Sequence, residues 1–141
     1  MAKVNPYLIF NGTCEAAFLH YETVFGTPIA YMGKFKDMPP AEATEPVAEE
    51  ESNRVMHVVL PISAETLLMG SDSTSQQGAV SVGENVQISI DTSSQEEADR
   101  LFNGLAAGGK ILMPMSKTFW GAYFGMCTDA FGVHWMVNFD E

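Results

Sequence analysis

Near its C-terminal end the chain has an apolar pattern typical of a β-hairpin. Residues 123–128 and 133–139, both rich in β-branched and aromatic side chains, flank the stretch Asp129-Ala130-Phe131-Gly132. Asp at the first position and Gly at the fourth are typical of a type I turn, so the pattern predicts strand, turn, strand. Both strands are apolar on both faces. We therefore expect one face to contact a helix and the other a cavity or a second subunit.

The first half of the chain predicts a strand, a helix and three further strands. The strand covers residues 4–10, and the helix covers about 14–25, with its apolar face formed by Ala17, Tyr21, Val24 and Phe25. Thr13 is placed to cap the helix and Gly26 to end it. The remaining strands are predicted at 28–35, 54–60 and 66–70.

The same order of elements recurs after a stretch at 71–83 that is rich in Ser, Gln and Gly and is typical of a linker. Residues 85–91 alternate cleanly. This places Val86, Ile88 and Ile90 on one side of a strand and Asn85, Gln87 and Ser89 on the other.

A second helix is predicted to follow, because Ser94 and Glu97 have the spacing of a capping box. It runs to about residue 107, and its apolar stripe is Ala98, Leu101, Phe102 and Leu105. A strand at 111–118 is interrupted by Pro114, which predicts a sheet edge or a bulge. The hairpin then completes this half.

Two strand–helix–three-strand modules predict an α+β fold of duplicated βαβββ units. The expected organisation is a single domain, 1–141, made of modules at about 4–71 and 85–139. Each sheet is then backed by one helix, and its other face is free to line a shared cavity.

An acidic loop is predicted at 37–53. It contains Pro39, Pro40 and Pro46 and six acidic residues but no basic one, which is typical of exposed, mobile chain. A solvated insertion and a functional lid are both open interpretations.

Composition excludes several classes of function. With 46% hydrophobic and 18% charged residues the chain should be globular, and its net charge of −11 argues against nucleic acid as a partner. No apolar run is long enough to cross a bilayer and no leader pattern precedes the first strand, so we expect a soluble, cytoplasmic protein with no membrane partner. Cys14 and Cys127 are far apart, which favours reduced thiols over a disulfide framework.

Three blocks of sequence resemble the PhnB-like branch of the vicinal oxygen chelate superfamily, which includes glyoxalase I, extradiol dioxygenases and bleomycin resistance proteins. They are Asn5-Pro6-Tyr7-Leu8-Ile9-Phe10-Asn11-Gly12, the region from Met56-His57-Val58 to Met69-Gly70-Ser71-Asp72, and the segment from Phe119-Trp120-Gly121 to Gly132-Val133-His134-Trp135. The resemblance implies a glyoxalase-like fold and a homodimer. Relatives in this branch have been labelled ubiquinone-type methyltransferases, but no glycine-rich nucleotide loop follows the first strand here.

Enzymes of this superfamily hold a divalent ion with His, Gln and Glu side chains. The resemblance carries those positions to Asn5 (or Pro6), to Leu68 or Met69, to Asn85 and to Met136. Amide oxygens bind such ions weakly and a thioether suits copper(I), so this set predicts no metal centre and no cofactor. A bound divalent metal is the alternative.

His57 and His134 remain as candidate chemical groups, since His20 is expected on the surface of the first helix. Alternation places His134 on one face with Met136 and Asn138, and His57 with Val59. Each is either hydrogen-bonded within the fold or an acid, base or anchoring group beside a cavity. The candidate pocket residues are Tyr7, His57, Asn85, Gln87, Trp120, Phe124, His134 and Met136, with no catalytic residue assigned.

The function predicted from these features is binding of a small molecule in an apolar cavity by a PhnB-like protein. Nine Met residues favour an adaptable cavity. One alternative is a metal-dependent lyase, isomerase or dioxygenase of the glyoxalase type. Another is a protein that sequesters a drug.

Overall fold

The strand–helix–three-strand order occurs twice along the chain. The computed structural model describes residues 1–38 and 47–141, which divide into two compact units, Met1–Ser81 and Val82–Glu141. Each unit contains a four-stranded sheet and an α-helix, and this confirms the predicted α+β fold of duplicated βαβββ modules. Residues 39–46 of the predicted acidic loop lie outside the described residues.

The first unit consists of β1 (Tyr7–Phe10), α1 (Cys14–Phe25), β2 (Tyr31–Lys34), β3 (Val55–Pro61) and β4 (Leu67–Asp72). Its strand order is β1-β4-β3-β2. The β1–β4 pair is parallel and the other two pairs are antiparallel. Short 3₁₀ turns lie at Phe35–Asp37 and Glu49–Glu51.

The second unit consists of β5 (Ile88–Asp91), α2 (Gln95–Ala106), β6 (Lys110–Lys117), β7 (Ala122–Thr128) and β8 (His134–Asp140). Its order, β5-β8-β7-β6, has the same topology as the first sheet. As predicted for the strand that contains Pro114, β6 lies at an edge, and its register shifts between Met113 and Ser116.

Each helix packs an aromatic ring against a glycine of its sheet. A Cβ atom added at Gly70 would lie 2.7 Å from Phe18 of α1, and one added at Gly125 would lie 2.9 Å from Phe102 of α2. Side chains at these two positions would therefore prevent the helices from packing so closely on the strands. The other fully buried apolar residues in these layers include Tyr21, Val58, Leu60, Leu105, Trp135 and Val137.

The start of α1 is not capped as the sequence predicts. Thr13 makes no side-chain cap hydrogen bond. Instead, Oδ1 of Asp72 accepts hydrogen bonds from the backbone N–H groups of Gly12 (2.9 Å) and Cys14 (3.0 Å), and Oδ2 accepts one from Val55 (2.9 Å). Asp72 is 2% exposed. This carboxylate supplies the negative charge that a helix N-terminus favours, and it comes from the last residue of β4.

The start of α2 largely follows the prediction. The Ser94 side chain accepts a hydrogen bond from the Glu97 N–H at 3.1 Å, as in a capping box. The Glu97 carboxylate, however, accepts from the N–H of Ser93 rather than from that of Ser94.

Four predicted strand boundaries are wrong by two or more residues. Strand β1 begins at Tyr7 rather than at residue 4, and β2 begins at Tyr31 rather than at residue 28. The sequence pattern predicts a linker from residue 71, but β4 continues to Asp72, and Ser73 and Thr74 after it are also buried. Strand β5 begins at Ile88 rather than at 85, because its partner β8 begins only at His134 and the earlier residues have no strand to pair with. Val86 is accordingly 73% exposed.

The acidic segment is also not uniformly exposed. Glu51 is 9% exposed, and its carboxylate accepts hydrogen bonds from the N–H and hydroxyl of Ser75 and contacts the Arg54 guanidinium at 3.2 Å. Within residues 1–38 and 47–141, no helix has the length and apolarity needed to cross a membrane.

Candidate functional site

In each sheet, one face packs on its helix, and we call the opposite face the free face. In the first sheet, Tyr7, Met69, Val59 and Tyr31 are register neighbours and form one row across all four strands. His57 lies two residues before Val59 on β3 and therefore shares this face. The adjacent residue Val58 is fully buried towards α1.

Tyr7 and His57 contact each other on the free face of the first sheet. The Tyr7 hydroxyl lies 3.0 Å from Nδ1 of His57, and the two rings stack with centroids 5.7 Å apart and planes 17° apart. Tyr31 approaches the same imidazole from β2, at 6.1 Å between ring centroids. We call Tyr7, His57 and Tyr31 the tyrosine–histidine cluster.

The free face of the second sheet has a row of methionines. Ser89, Met136, Met126 and Met113 are register neighbours across β5, β8, β7 and β6. Thioether side chains adapt to differently shaped apolar groups, so this row suits an apolar ligand better than a metal ion.

His134 lies on the same face as this row. Its Nδ1 atom is 2.9 Å from the Thr128 hydroxyl, and Thr128 is its register partner on β7. At the other end of the face, Phe124 pairs with Asn138 and contacts the Trp120 ring at 6.2 Å between centroids. Trp135 and Val137 are buried on the α2 side, so the predicted alternation of His134, Met136 and Asn138 is confirmed.

Six of the eight candidate pocket residues therefore lie beside these two faces. Tyr7 and His57 are in contact, as are Trp120 and Phe124, and His134 and Met136 share one strand face. Asn85 and Gln87 were placed on the first strand of the second module, but both lie before β5 and are exposed. That placement is wrong, because the strand has no partner beyond Ile88.

The superfamily's metal positions lack a suitable donor set. The Asn5 amide oxygen already accepts the Leu67 N–H at 3.1 Å. Leu68 is 2% exposed on the helix side, which leaves Met69 as the free-face residue of β4, while Met136 occupies the corresponding face of β8. In the part of the chain that the structure describes, no three His, Cys, Asp or Glu side chains are grouped to hold a metal ion. These residues do not fit the superfamily's ion.

The two cysteines are not available as nucleophiles. Both are buried. Burial raises the pKa of the Cys127 thiol to about 11, with a smaller effect from the nearby Asp129 carboxylate. The pKa of Cys14 is raised further, mainly by burial and then by Asp72. A thiolate is the reactive form, so neither side chain is activated near neutral pH.

Sequence reasoning missed Tyr31, Thr128 and Met126 as neighbours of the candidate residues. Alternation indicates a strand face for each one. The partner on the adjacent strand, however, depends on the register, which the sequence pattern does not specify. A cavity of about 310 Å³ is lined by Thr27, Pro28, Ala30, Pro61, Ile62 and Ser63.

Comparison with known proteins identifies the family. The family model described as 3-demethylubiquinone-9 3-methyltransferase matches residues 2–138. The chain belongs to this family. The predicted membership of the PhnB-like branch is thereby confirmed, since this is the methyltransferase label that relatives in the branch carry.

Two bacterial proteins are similar to this chain over nearly their whole length. Protein YjdN of Escherichia coli K12 is 32% identical over 140 residues, which cover 96% of this chain and 93% of YjdN. The crystal structure of PA1353 from Pseudomonas aeruginosa is 39% identical and has a TM-score of 0.85, with 99% of this chain and 98% of PA1353 covered.

A more distant structure shows the breadth of the fold. A glyoxalase/bleomycin resistance protein/dioxygenase family enzyme from Burkholderia phytofirmans PsJN has a TM-score of 0.65 at 15% identity, covering 99% of this chain and 100% of its own. At that identity the likeness concerns the fold alone. It shows that this chain has a glyoxalase-like fold.

Proposed function

We propose that this protein binds a small, largely apolar molecule against the free faces of its sheets. The observation that supports the proposal most strongly is the make-up of these faces. One combines two tyrosine rings and an imidazole, and the other combines a methionine row with Phe124 and His134. Apolar surface with a few positioned polar groups is the usual composition of a small-molecule site. That the two faces line one cavity, and that two chains form a homodimer, stay predictions.

Methyl transfer, which the family description names, is not part of the proposal. The turn between β1 and α1 is Asn11-Gly12-Thr13, which is not a glycine-rich nucleotide loop. Moreover, the N–H groups of Gly12 and Cys14 at the start of α1 already donate to the Asp72 carboxylate. These N–H groups are therefore already used within the fold and are not free to bind a methyl-donor cofactor.

A metal-dependent reaction of the glyoxalase type is likewise not proposed. The superfamily's ligand positions hold two amides, Asn5 and Asn85, and two thioethers, and the Asn5 oxygen already accepts the Leu67 N–H. The test is metal analysis of protein purified without chelators. Zn, Mn, Fe and Ni should each be present well below one ion per chain. One ion per chain that survives dialysis would contradict the proposal.

Binding itself can be tested by thermal unfolding in a library of apolar small molecules, together with mass spectrometry of molecules that co-purify. A true ligand at many times its Kd should raise Tm by several degrees, because it binds only the folded protein. Met136→Lys should abolish the shift for ligands of the second sheet. Leu19→Lys is the matched control, since Leu19 is 49% exposed on α1, away from the free face. If no molecule raised Tm and none co-purified, small-molecule binding would be excluded.

A further inference from the structure

The tyrosine–histidine cluster has a ring nitrogen without an internal partner. Nδ1 of His57 is bonded to the Tyr7 hydroxyl. Among the described residues, Nε2 of this ring makes no hydrogen bond. The ring is held in place by the stacked Tyr7 ring and by Tyr31 on its other side.

The Tyr7 contact links the position of the His57 proton to the direction of one hydrogen bond. A tyrosine hydroxyl can donate or accept, so its hydrogen bond to Nδ1 of His57 fits either neutral tautomer of the ring. A neutral imidazole that accepts at Nδ1 has its proton on Nε2. When the Tyr7 hydroxyl is the donor, Nε2 of His57 is therefore an N–H donor, held at a known position on the sheet.

Tyr31 keeps its place because residue 33 is glycine. A Cβ atom added at Gly33 would lie 2.2 Å from the Tyr31 hydroxyl oxygen, so this side chain lies along β2 directly over Gly33. Gly33 is the register partner of His57. The glycine thus allows a second aromatic ring to lie next to the imidazole.

We infer that the Tyr7 hydroxyl donates to Nδ1 of His57 and that the tyrosine–histidine cluster is a subsite for an uncharged planar molecule with a carbonyl oxygen. This oxygen accepts a hydrogen bond from Nε2–H of His57, and the molecule packs on the Tyr7 and Tyr31 rings. This inference rests on the proposed small-molecule function and specifies its ligand. The ring N–H requires an acceptor and disfavours a cation. The net charge of −11 disfavours an anion. A neutral carbonyl compound satisfies both conditions, and its ring gains the stacking contacts.

The test compares four molecules that share the indole ring. They are 3-acetylindole, which has a neutral carbonyl; indole, which has none; indole-3-carboxylate, an anion; and tryptamine, a cation. Titration of the intact chain, followed by NMR of the histidine ring nitrogens, should show 3-acetylindole binding about 5-fold more tightly than indole, as expected for one neutral hydrogen bond. Nε2 of His57 should shift on binding, and the free protein should show the Nε2–H tautomer.

Four variants separate the parts of the cluster. His57→Phe keeps an aromatic ring and should abolish the preference, so that 3-acetylindole and indole bind with about equal affinity. Tyr7→Phe keeps the stacked ring but frees Nδ1, so the preference should fall as the second tautomer appears. Gly33→Ala displaces Tyr31 and should weaken 3-acetylindole and indole alike. His20→Gln, on α1, is the matched control and should change neither affinity.

Three results would overturn the inference: equal affinity for indole and 3-acetylindole, tighter binding of tryptamine or the carboxylate, or a folded His57→Phe protein that keeps the preference. Absence of binding by all four molecules at millimolar concentration would also overturn it. In that case the library screen and the co-purified molecules still decide separately whether the protein binds another ligand on its second sheet.

Discussion

The Asp129 carboxylate accepts the indole N–H of Trp135 at 2.8 Å, and both side chains are buried. The other carboxylate oxygen accepts the backbone N–H groups of Phe131 and Val133, at 2.8 and 3.0 Å. The Asp129 side chain therefore stabilises the β7–β8 turn and joins the buried Trp135 ring to this turn.

Replacement of Asp129 by Asn should destabilise the protein by about 1–3 kcal/mol, because an amide N–H₂ would face the Trp135 N–H and leave a buried donor unpaired. Urea unfolding followed by tryptophan fluorescence measures the loss. Asp140→Asn is the control, since Asp140 is exposed at the end of β8, and its effect should stay within about 0.5 kcal/mol. Equal stabilities for the two variants would show that the carboxylate has no special role.

Replacement of Gly70 by Ala should destabilise the protein by about 1–3 kcal/mol through overpacking, because the new methyl group would meet the Phe18 ring and the Leu8 carbonyl at 2.7 Å each. Chemical denaturation monitored by circular dichroism is the measurement.

Gly83→Ala provides the comparison for Gly70→Ala. The nearest atom to its added Cβ is 3.5 Å away, and the residue is exposed. Its stability should be unchanged or slightly raised. A Gly70→Ala protein as stable as the Gly83→Ala protein would mean that α1 can move off the sheet without cost.

Glu51 should make stability depend on acid pH. Hydrogen bonds from the Ser75 N–H and hydroxyl, and then the Arg54 guanidinium, hold the pKa of Glu51 below its ordinary value of 4.5. A carboxyl group with a lowered folded-state pKa stabilises the protein above pH 4.5, and this contribution is lost as the pH falls through the folded-state value. The difference in unfolding free energy between wild type and Glu51→Gln should therefore be constant above about pH 5 and shrink below pH 4.5.

The neighbouring residue gives the control for this pH dependence. Glu50 lies in the same 3₁₀ turn but is exposed. Glu50→Gln should follow the wild-type curve across the acid range. If the Glu51→Gln difference persisted unchanged to pH 3, the contribution would come from packing rather than from the ionised carboxylate.

Local patterns predicted most of the fold, because the spacing of apolar residues within each helix or hairpin indicates which of its faces is buried. The bounds of α1 and the stripe of α2 match the prediction, since helical spacing of apolar residues is decided within one turn. Alternation also placed His134 and Met136 on the free face correctly.

Long-range partners could not be predicted in the same way. Asp72 caps a helix that begins 58 residues earlier, and Tyr7 meets a histidine 50 residues away. Both contacts depend on the parallel pairing of β1 with β4 and on its register, neither of which is encoded in the spacing of adjacent residues. The late start of β5 has the same origin, because it is set by the start of β8.

The side chain of Asn11 forms two hydrogen bonds with the backbone of Val80, at 2.9 and 3.0 Å, while Arg54 and Glu51 hold Ser73 and Ser75. Proteases cut exposed chain that is free of such bonds. Within the connection from β4 to β5, the peptide bonds most open to cleavage therefore lie at 81–87. The Ser- and Gln-rich stretch that precedes residue 81 is less open. A cut at 81–87 falls at the boundary between the two compact units and leaves each fragment with its own helix and all four strands.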